Sequence, residues 1–263
     1  LSDFVGKDAI KFYRVSVSFG SYSAVEGVNL SVRAGEFVSL VGPTGCGKST
    51  LLNVAAGLLP PSSGEVLLEG RPLKGLNPVA GYLFQQDAIL PWKTALDNVA
   101  LPLVFRGVGL REARERALAW LEKVGLGRFP RLFPHQLSGG MRKRVGLAQV
   151  LIADPHLLLM DEPFSALDVQ TRQLMENELL RLWQEDRKTV LFVTHDLEEA
   201  IALADRVVVL SAGPRSRPIE DFPIPLPRPR DVAEIRLTPE FLRLHREIWE
   251  LLRGEVIRAH AGA

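Results

Sequence analysis

Short runs in which apolar and polar residues trade places open the chain. "KFYRVSVSF" and "AVEGVNLSV" read as strands, the second ending in Val28, Leu30 and Val32 at alternate positions. "GEFVSLVG" is apolar enough for a buried strand, and "KSTLLNVAAG" after it reads as a helix. "EVLLEG" and "VAGYLFQ" follow as short strands. From about Asp87 the period lengthens to that of helices. "REARERALAWLEKVG" sets Ala113, Ala117, Trp120, Leu121 and Val124 on one face, and "MRKRVGLAQVLIADP" does the same with Met141, Val145, Ala148 and Ile152. Strands return as "HLLLMDEP", "TVLFVTH" and "RVVVLSAG", with two helical stretches between them. Strands alternating with helices predict an α/β chain with a mostly parallel sheet, an antiparallel β part at the N-terminal end, and a helical subdomain inserted at about 87–150. Beyond Gly213 the proline-rich "PRSRPIEDFPIPLPRPRD" is expected to be extended, as a surface linker or edge segment. A closing helix begins at Thr238 and Pro239, with Phe241, Leu244, Ile248, Leu251 and Leu252 on its apolar face. The division expected is 1–213 for the main domain and 214–263 for the tail.

Composition narrows the class. With 263 residues there is length for one large domain or two small ones. No apolar run approaches the roughly twenty residues that span a bilayer, and no secretory pattern opens the sequence, so any tie to a membrane is expected through a partner. Thirty-two basic residues against 31 acidic ones argue against a general nucleic-acid binder. The single cysteine excludes an internal disulfide and suits a reducing cytoplasm.

The candidate chemistry begins at "LVGPTGCGKSTLLN". Gly42, Gly45 and Gly47 let consecutive N–H groups curl around an anion, and the helix that follows points its positive end at the same place. Gly42, Gly47, Lys48 and Ser49 fit G-x-x-x-x-G-K-[ST], the loop of a nucleoside-triphosphate site on a P-loop (RecA-like) core. Gly42, Pro43, Thr44, Gly45, Cys46, Gly47, Lys48, Ser49 and Thr50 are the candidate contacts. Lys48 is expected to reach the β- and γ-phosphates and Ser49 to bind Mg²⁺. Cys46, beside Lys48 at a helix N-terminus, is expected to have a lowered pKa and, where solvent reaches it, raised reactivity. "LLLMDEP" delivers Asp161 and Glu162 to a strand's C-terminal edge, Asp161 for hydrated Mg²⁺ and Glu162 to polarise a water attacking the γ-phosphate.

"HQLSGGMRKRVGLAQ" adds a second helix start rich in N–H donors, at Ser138, Gly139 and Gly140, about twenty residues before "LLLMDEP". Together these segments resemble the ATPase subunits of ATP-binding cassette (ABC) transporters, whose signature is LSGGQ. The resemblance spans about Phe12 to Gly213. It implies a head-to-tail dimer of two copies, with Ser138, Gly139 and Gly140 of one copy capping ATP held on the other. It assigns Gln85 in "LFQQ" to Mg²⁺, with Gln86 as the neighbouring alternative, and Asp168 in "SALD" to the loop that crosses the dimer. His195 in "VTHD" matches the switch histidine that contacts the γ-phosphate. Phe19 falls at the adenine-stacking position, with Tyr22 as the fallback. Two positions depart from the family pattern: Met141 stands where the signature has glutamine, and Phe19 where tyrosine is commoner.

"AILPWKTALDNV" lies where such ATPases receive a helix of the membrane subunit. Pro91 and Trp92, with "PLPRPRD" and the short closing helix, resemble importers for nitrate, sulfonate and taurine; Trp92 packed inside the helical insertion is the competing reading. The expected role is an ATP-hydrolysing importer subunit using ATP and Mg²⁺. It would sit peripherally on the cytoplasmic face of the membrane with permease partners and, indirectly, an extracytoplasmic solute-binding protein; no nucleic acid is expected. The alternatives are a half-exporter or lipid-trafficking ATPase, and an ABC ATPase acting on DNA or ribosomes.

Overall fold

Two sheets carry the chain, and the computed structural model describes residues 7–86 and 88–261 of it. Asp87, where the helical insertion is expected to begin, lies outside the described residues. β1 (Asp8–Phe19) and β2 (Tyr22–Arg33) form an antiparallel hairpin with Phe19 opposite Tyr22 at its tip. β3 (Phe37–Val41) leads through the glycine-rich loop into α1 (Lys48–Ala55). β4 (Ser63–Leu68) pairs antiparallel with β1, and the two-residue β5 (Arg71–Pro72) pairs with β4. β6 (Ala80–Leu83) precedes three helices: α2 (Ala95–Phe105), α3 (Leu110–Lys123) and α4 (Gly139–Leu151). β7 (Leu157–Asp161), α5 (Val169–Asp186), β8 (Thr189–Val193), α6 (Leu197–Leu203) and β9 (Arg206–Leu210) then alternate. β10 (Pro218–Pro223), α7 (Val232–Ile235) and α8 (Pro239–Ala261) complete the order.

The small sheet runs β2-β1-β4-β5 and the large one β10-β9-β3-β8-β7-β6. Neighbours from β9 to β6 are parallel; β10 alone runs antiparallel, on the edge of β9. Every residue of β3 and β8 is buried, which is why these strands read as unbroken apolar runs rather than alternating ones. Their successive side chains feed two cores. Val38, Leu40, Leu159, Leu191 and Val193 meet α1 and the small sheet. Phe37, Val41, Met160, Val190 and Phe192 join a core with helices α2 to α6. The apolar face of α8 enters that second core through Phe241, Leu244, Ile248 and Leu252. Of the two readings of the proline-rich tail, surface linker or edge segment, the second holds at β10, which lies on the sheet's edge. Proline is tolerated there because an edge strand leaves one row of N–H groups unpaired.

The parallel register is what builds a site. Leu40 pairs with Val193, Asp161 with Val193, and Leu83 with Met160. The C-terminal tips of β6, β7, β8 and β3 therefore stand side by side, and the residues just beyond them must converge.

Candidate active site

The loop beyond β3 supplies the first component. Gly45 and Gly47 take φ of 79° and 94°, a left-handed backbone that glycine adopts without strain. At Gly47 a side chain would also strike Val25, 2.6 Å from its Cγ1. Lys48 is almost fully buried, and its ammonium donates to the carbonyls of Gly42 (2.9 Å) and Pro43 (3.0 Å) in the loop it closes. One step on, the Ser49 hydroxyl donates to Asp161 Oδ1 at 3.0 Å, joining the start of α1 to the tip of β7.

Burial raises the Asp161 carboxyl above its ordinary pKa, with the Ser49 hydrogen bond opposing and the neighbouring Glu162 charge adding to the rise. Burial, with the Asp161 carboxylate adding to it, pushes the Tyr82 phenol well above its usual range. Tyr82 stacks on Phe84 at 4.1 Å, at the end of β6.

Glu162 is the centre of the second component. Its φ of 43° is unusual for a residue with a side chain, and its N–H donates to the Val193 carbonyl at 2.8 Å. Bent this way at the tip of β7, its carboxylate meets two neighbours. Gln85 Nε2 donates to Oε2 at 3.3 Å, and His195 Nδ1 lies 3.0 Å from the same oxygen. Lys48, Ser49, Gln85, Asp161, Glu162 and His195 thus come together from four strand tips. Lys143 on α4, a residue the sequence pattern did not single out, donates to the Gln85 carbonyl at 2.7 Å and ties the inserted helices to this cluster.

Ser138, Gly139 and Gly140 form a separate group. Ser138 caps α4 by accepting from the Met141 N–H at 3.3 Å. A side chain at Gly140 would lie 2.6 Å from Thr171 Cγ2, so the helix start is pressed against the first turn of α5. That turn is capped by Asp168, which accepts from the Thr171 N–H at 3.0 Å; this bond holds the Asp168 carboxyl below its ordinary pKa. Phe19 and Tyr22 are both exposed at the hairpin tip. Tyr22 also nears the phosphate loop: a Cβ at Gly213 would be 3.5 Å from both its hydroxyl and the Gly45 carbonyl.

One expectation changes and one competing reading falls. Cys46 is fully buried, and burial pushes its thiol pKa up although the Lys48 ammonium pulls the other way. The lowered pKa and reactive thiol expected of a helix N-terminus are therefore wrong, because the side chain turns inward while the backbone faces the loop. Trp92 is not packed in the helical insertion but 70% exposed. Its loop is braced by buried Asn98, which donates to the carbonyls of Leu90, Lys93 and Thr94 and accepts from the Leu90 N–H at 2.7 Å. A lone asparagine in "ALDNV" carries no sequence signal of such a role.

The chain is similar to known proteins over most of its length. The family described as ABC transporter matches residues 25–165. An uncharacterized ABC transporter ATP-binding protein of Methanocaldococcus jannaschii is 47% identical over 90% of this chain and 86% of its own length. The nitrate import ATP-binding protein NrtD of Synechococcus elongatus is 43% identical, covering 89% of this chain and 86% of that protein. The taurine import ATP-binding protein TauB of Rhizobium johnstonii is 44% identical over 88% and 89%. Among solved structures, a dimeric ATP-binding cassette in a post-hydrolysis state with ADP and Pi superposes with TM-score 0.72 and 35% identity, covering 82% of this chain and 98% of that one. cbiO1 of Clostridium perfringens, part of the transporter complex cbiONQ, gives TM-score 0.75 at 25% identity, over 90% and 94%.

The chain belongs to the ABC transporter family. It is an ATP-binding ATPase of that family, with hydrolysis coupled to transport, and stands near the nitrate and taurine import proteins.

Proposed function

We propose that the chain is the ATP-hydrolysing subunit of an importer for a small anionic or zwitterionic solute of the nitrate, sulfonate and taurine kind. The observation that carries the hydrolytic part is the Glu162 carboxylate bracketed by Gln85 and His195 beyond the phosphate loop. In this reading the loop N–H groups and Lys48 hold the phosphates, Lys48 exchanging its loop carbonyls for phosphate oxygens. Glu162 takes a proton from water as the water oxygen attacks the γ-phosphorus and the bond to the β-phosphate oxygen breaks. His195 and Gln85 orient that carboxylate. Phe19, or Tyr22 beside it, stacks on adenine.

The donor set fits a hard cation. The Ser49 hydroxyl and Asp161 carboxylate are only 3.0 Å apart, and both offer oxygen. Ser49 and Gln85 would hold Mg²⁺ directly and Asp161 through water. The ion would neutralise charge on the β- and γ-phosphates.

Two copies would close head to tail, with Ser138, Gly139, Gly140 and Asp168 of each meeting nucleotide on the other. The exposed Trp92 loop supports docking of permease subunits at a membrane, where the chain would sit peripherally on the cytoplasmic face; among the described residues no helix is long and apolar enough to cross one. An extracytoplasmic solute-binding protein would act upstream.

Glu162→Gln should bind MgATP with near-normal affinity while kcat falls on the order of a hundredfold or more. Reconstitution with the permease in vesicles should then show ATP-driven uptake of nitrate, sulfonates or taurine by the wild type alone. Near-normal turnover in the variant removes the general-base assignment, and uptake of none of these solutes removes the solute class.

A further inference from the structure

Between the Asp168 loop and the His195 loop stands one guanidinium. Arg172 lies in the first turn of α5, four residues beyond Asp168. Its Nη2 donates to the Leu167 carbonyl at 3.2 Å, and its Nη1 donates to Asp196 Oδ2 at 3.0 Å. Leu167 immediately precedes Asp168, and Asp196 immediately follows His195. The same side chain therefore grips both loops at the residue next to the one with a role.

Asp196 passes the grip on. Its Oδ1 accepts from the N–H groups of Glu198 (2.9 Å) and Glu199 (3.2 Å), capping α6. Its own N–H donates to Thr194 Oγ1 at 3.0 Å. The turn 194–196, with His195 at its middle, is thus pinned from both sides, while the His195 side chain itself is exposed. Planar donors in a fixed fork suit such a two-way tie, since both bonds cannot be kept if one loop shifts alone.

We propose that Arg172 is a positioning residue for hydrolysis: it couples the place of the Asp168 loop to that of His195, so that docking of a second copy on the first loop aligns the histidine against Glu162. This rests on the roles given above to Asp168 and His195. A plainer role competes with it. Buried Glu176 and Glu199 lie near enough to feel the Arg172 charge, so the guanidinium could serve only to offset them.

Arg172→Lys separates the two, because it keeps the charge but has no fork to hold both loops. We expect a melting temperature close to wild type, a KM for ATP within about twofold, and kcat lower by on the order of ten- to a hundredfold. In a His195→Ala background the same substitution should cost nothing further, and in Asp168→Ala its cost should shrink. Wild-type kcat in Arg172→Lys, or the same fold-loss with His195 already removed, would overturn the coupling and leave charge compensation. If His195→Ala alone turns over at the full rate, the histidine's assignment falls and the inference with it, a result distinct from failure of Arg172 alone.

Discussion

Cys46 illustrates what spacing conveys at the level of one residue and what it leaves out. The glycines around it, Lys48 and Ser49 announce a phosphate loop because each demand is made on the backbone or on a fixed offset. Where a side chain inside the loop points depends on packing. The Cys46 Sγ would lie 2.8 Å from a Cβ at Gly42, on the inner side of the loop, and the thiol has left solvent. Native protein should therefore react with a maleimide at least about a hundredfold more slowly than unfolded protein, since labelling needs the loop to open. MgATP, which binds the closed loop, should slow the native rate further, and mass spectrometry of timed quenches measures both. Arg172 was invisible for the same reason: its two acceptors lie 5 and 24 residues away in sequence and meet only in the fold.

Among elements, the central strands and the amphipathic helices were legible because burial enforces their periods. Two others were not. α2 holds Pro102 in its interior, which argues against a helix, yet Thr94 caps it by accepting from the Asp97 N–H and its apolar face is buried. The tail reads only as an extended or edge segment; β10 and the strap after it are ordered by arginines together with the buried Ile224 and Leu226. Arg230 is buried and donates to the carbonyls of Ala202 (3.0 Å), Ala204 (2.8 Å) and Leu226 (3.0 Å). Burial pushes its pKa down to about 10, so it stays charged at neutral pH and offsets the carbonyl-rich end of α6. Arg230→Met should strand those carbonyls and cost about 2–4 kcal/mol of stability. Urea melts should show the loss, and ATP affinity at temperatures where the variant is folded should be nearly unchanged.

For the whole molecule, the α/β class followed from the order of strands and helices, but the sheet order that assembles the site did not. Pairing of β3 with β8, across nearly the full domain, is a long-range contact that no local pattern encodes. The proposed dimer belongs to this scale as well. With Glu162→Gln as the parent, Ser138→Arg should bind ATP as one copy and fail to associate on light scattering in MgATP. Ser138→Thr, which preserves the cap on α4, should associate normally, so that the loss of about 1 kcal/mol from an uncapped helix is not mistaken for a lost interface. Association of the arginine variant at the parent's concentration dependence would refute the shared site.

The side-by-side strand tips have a consequence for how this chain tolerates change in length. Gln85, Glu162, His195 and the phosphate loop are carried like teeth on a comb whose spacing is that between neighbouring strands, roughly 4.8 Å. Residues added between the teeth, in the turns at the far end of the sheet, leave the comb untouched. One residue added within a strand does not, because side chains alternate faces and the tooth beyond it turns over. β7 and β8 have five residues each, so a single insertion in either would swing Glu162 or His195 away from the other. The strands act as gauges cut to length, and only the intervening loops are free to drift.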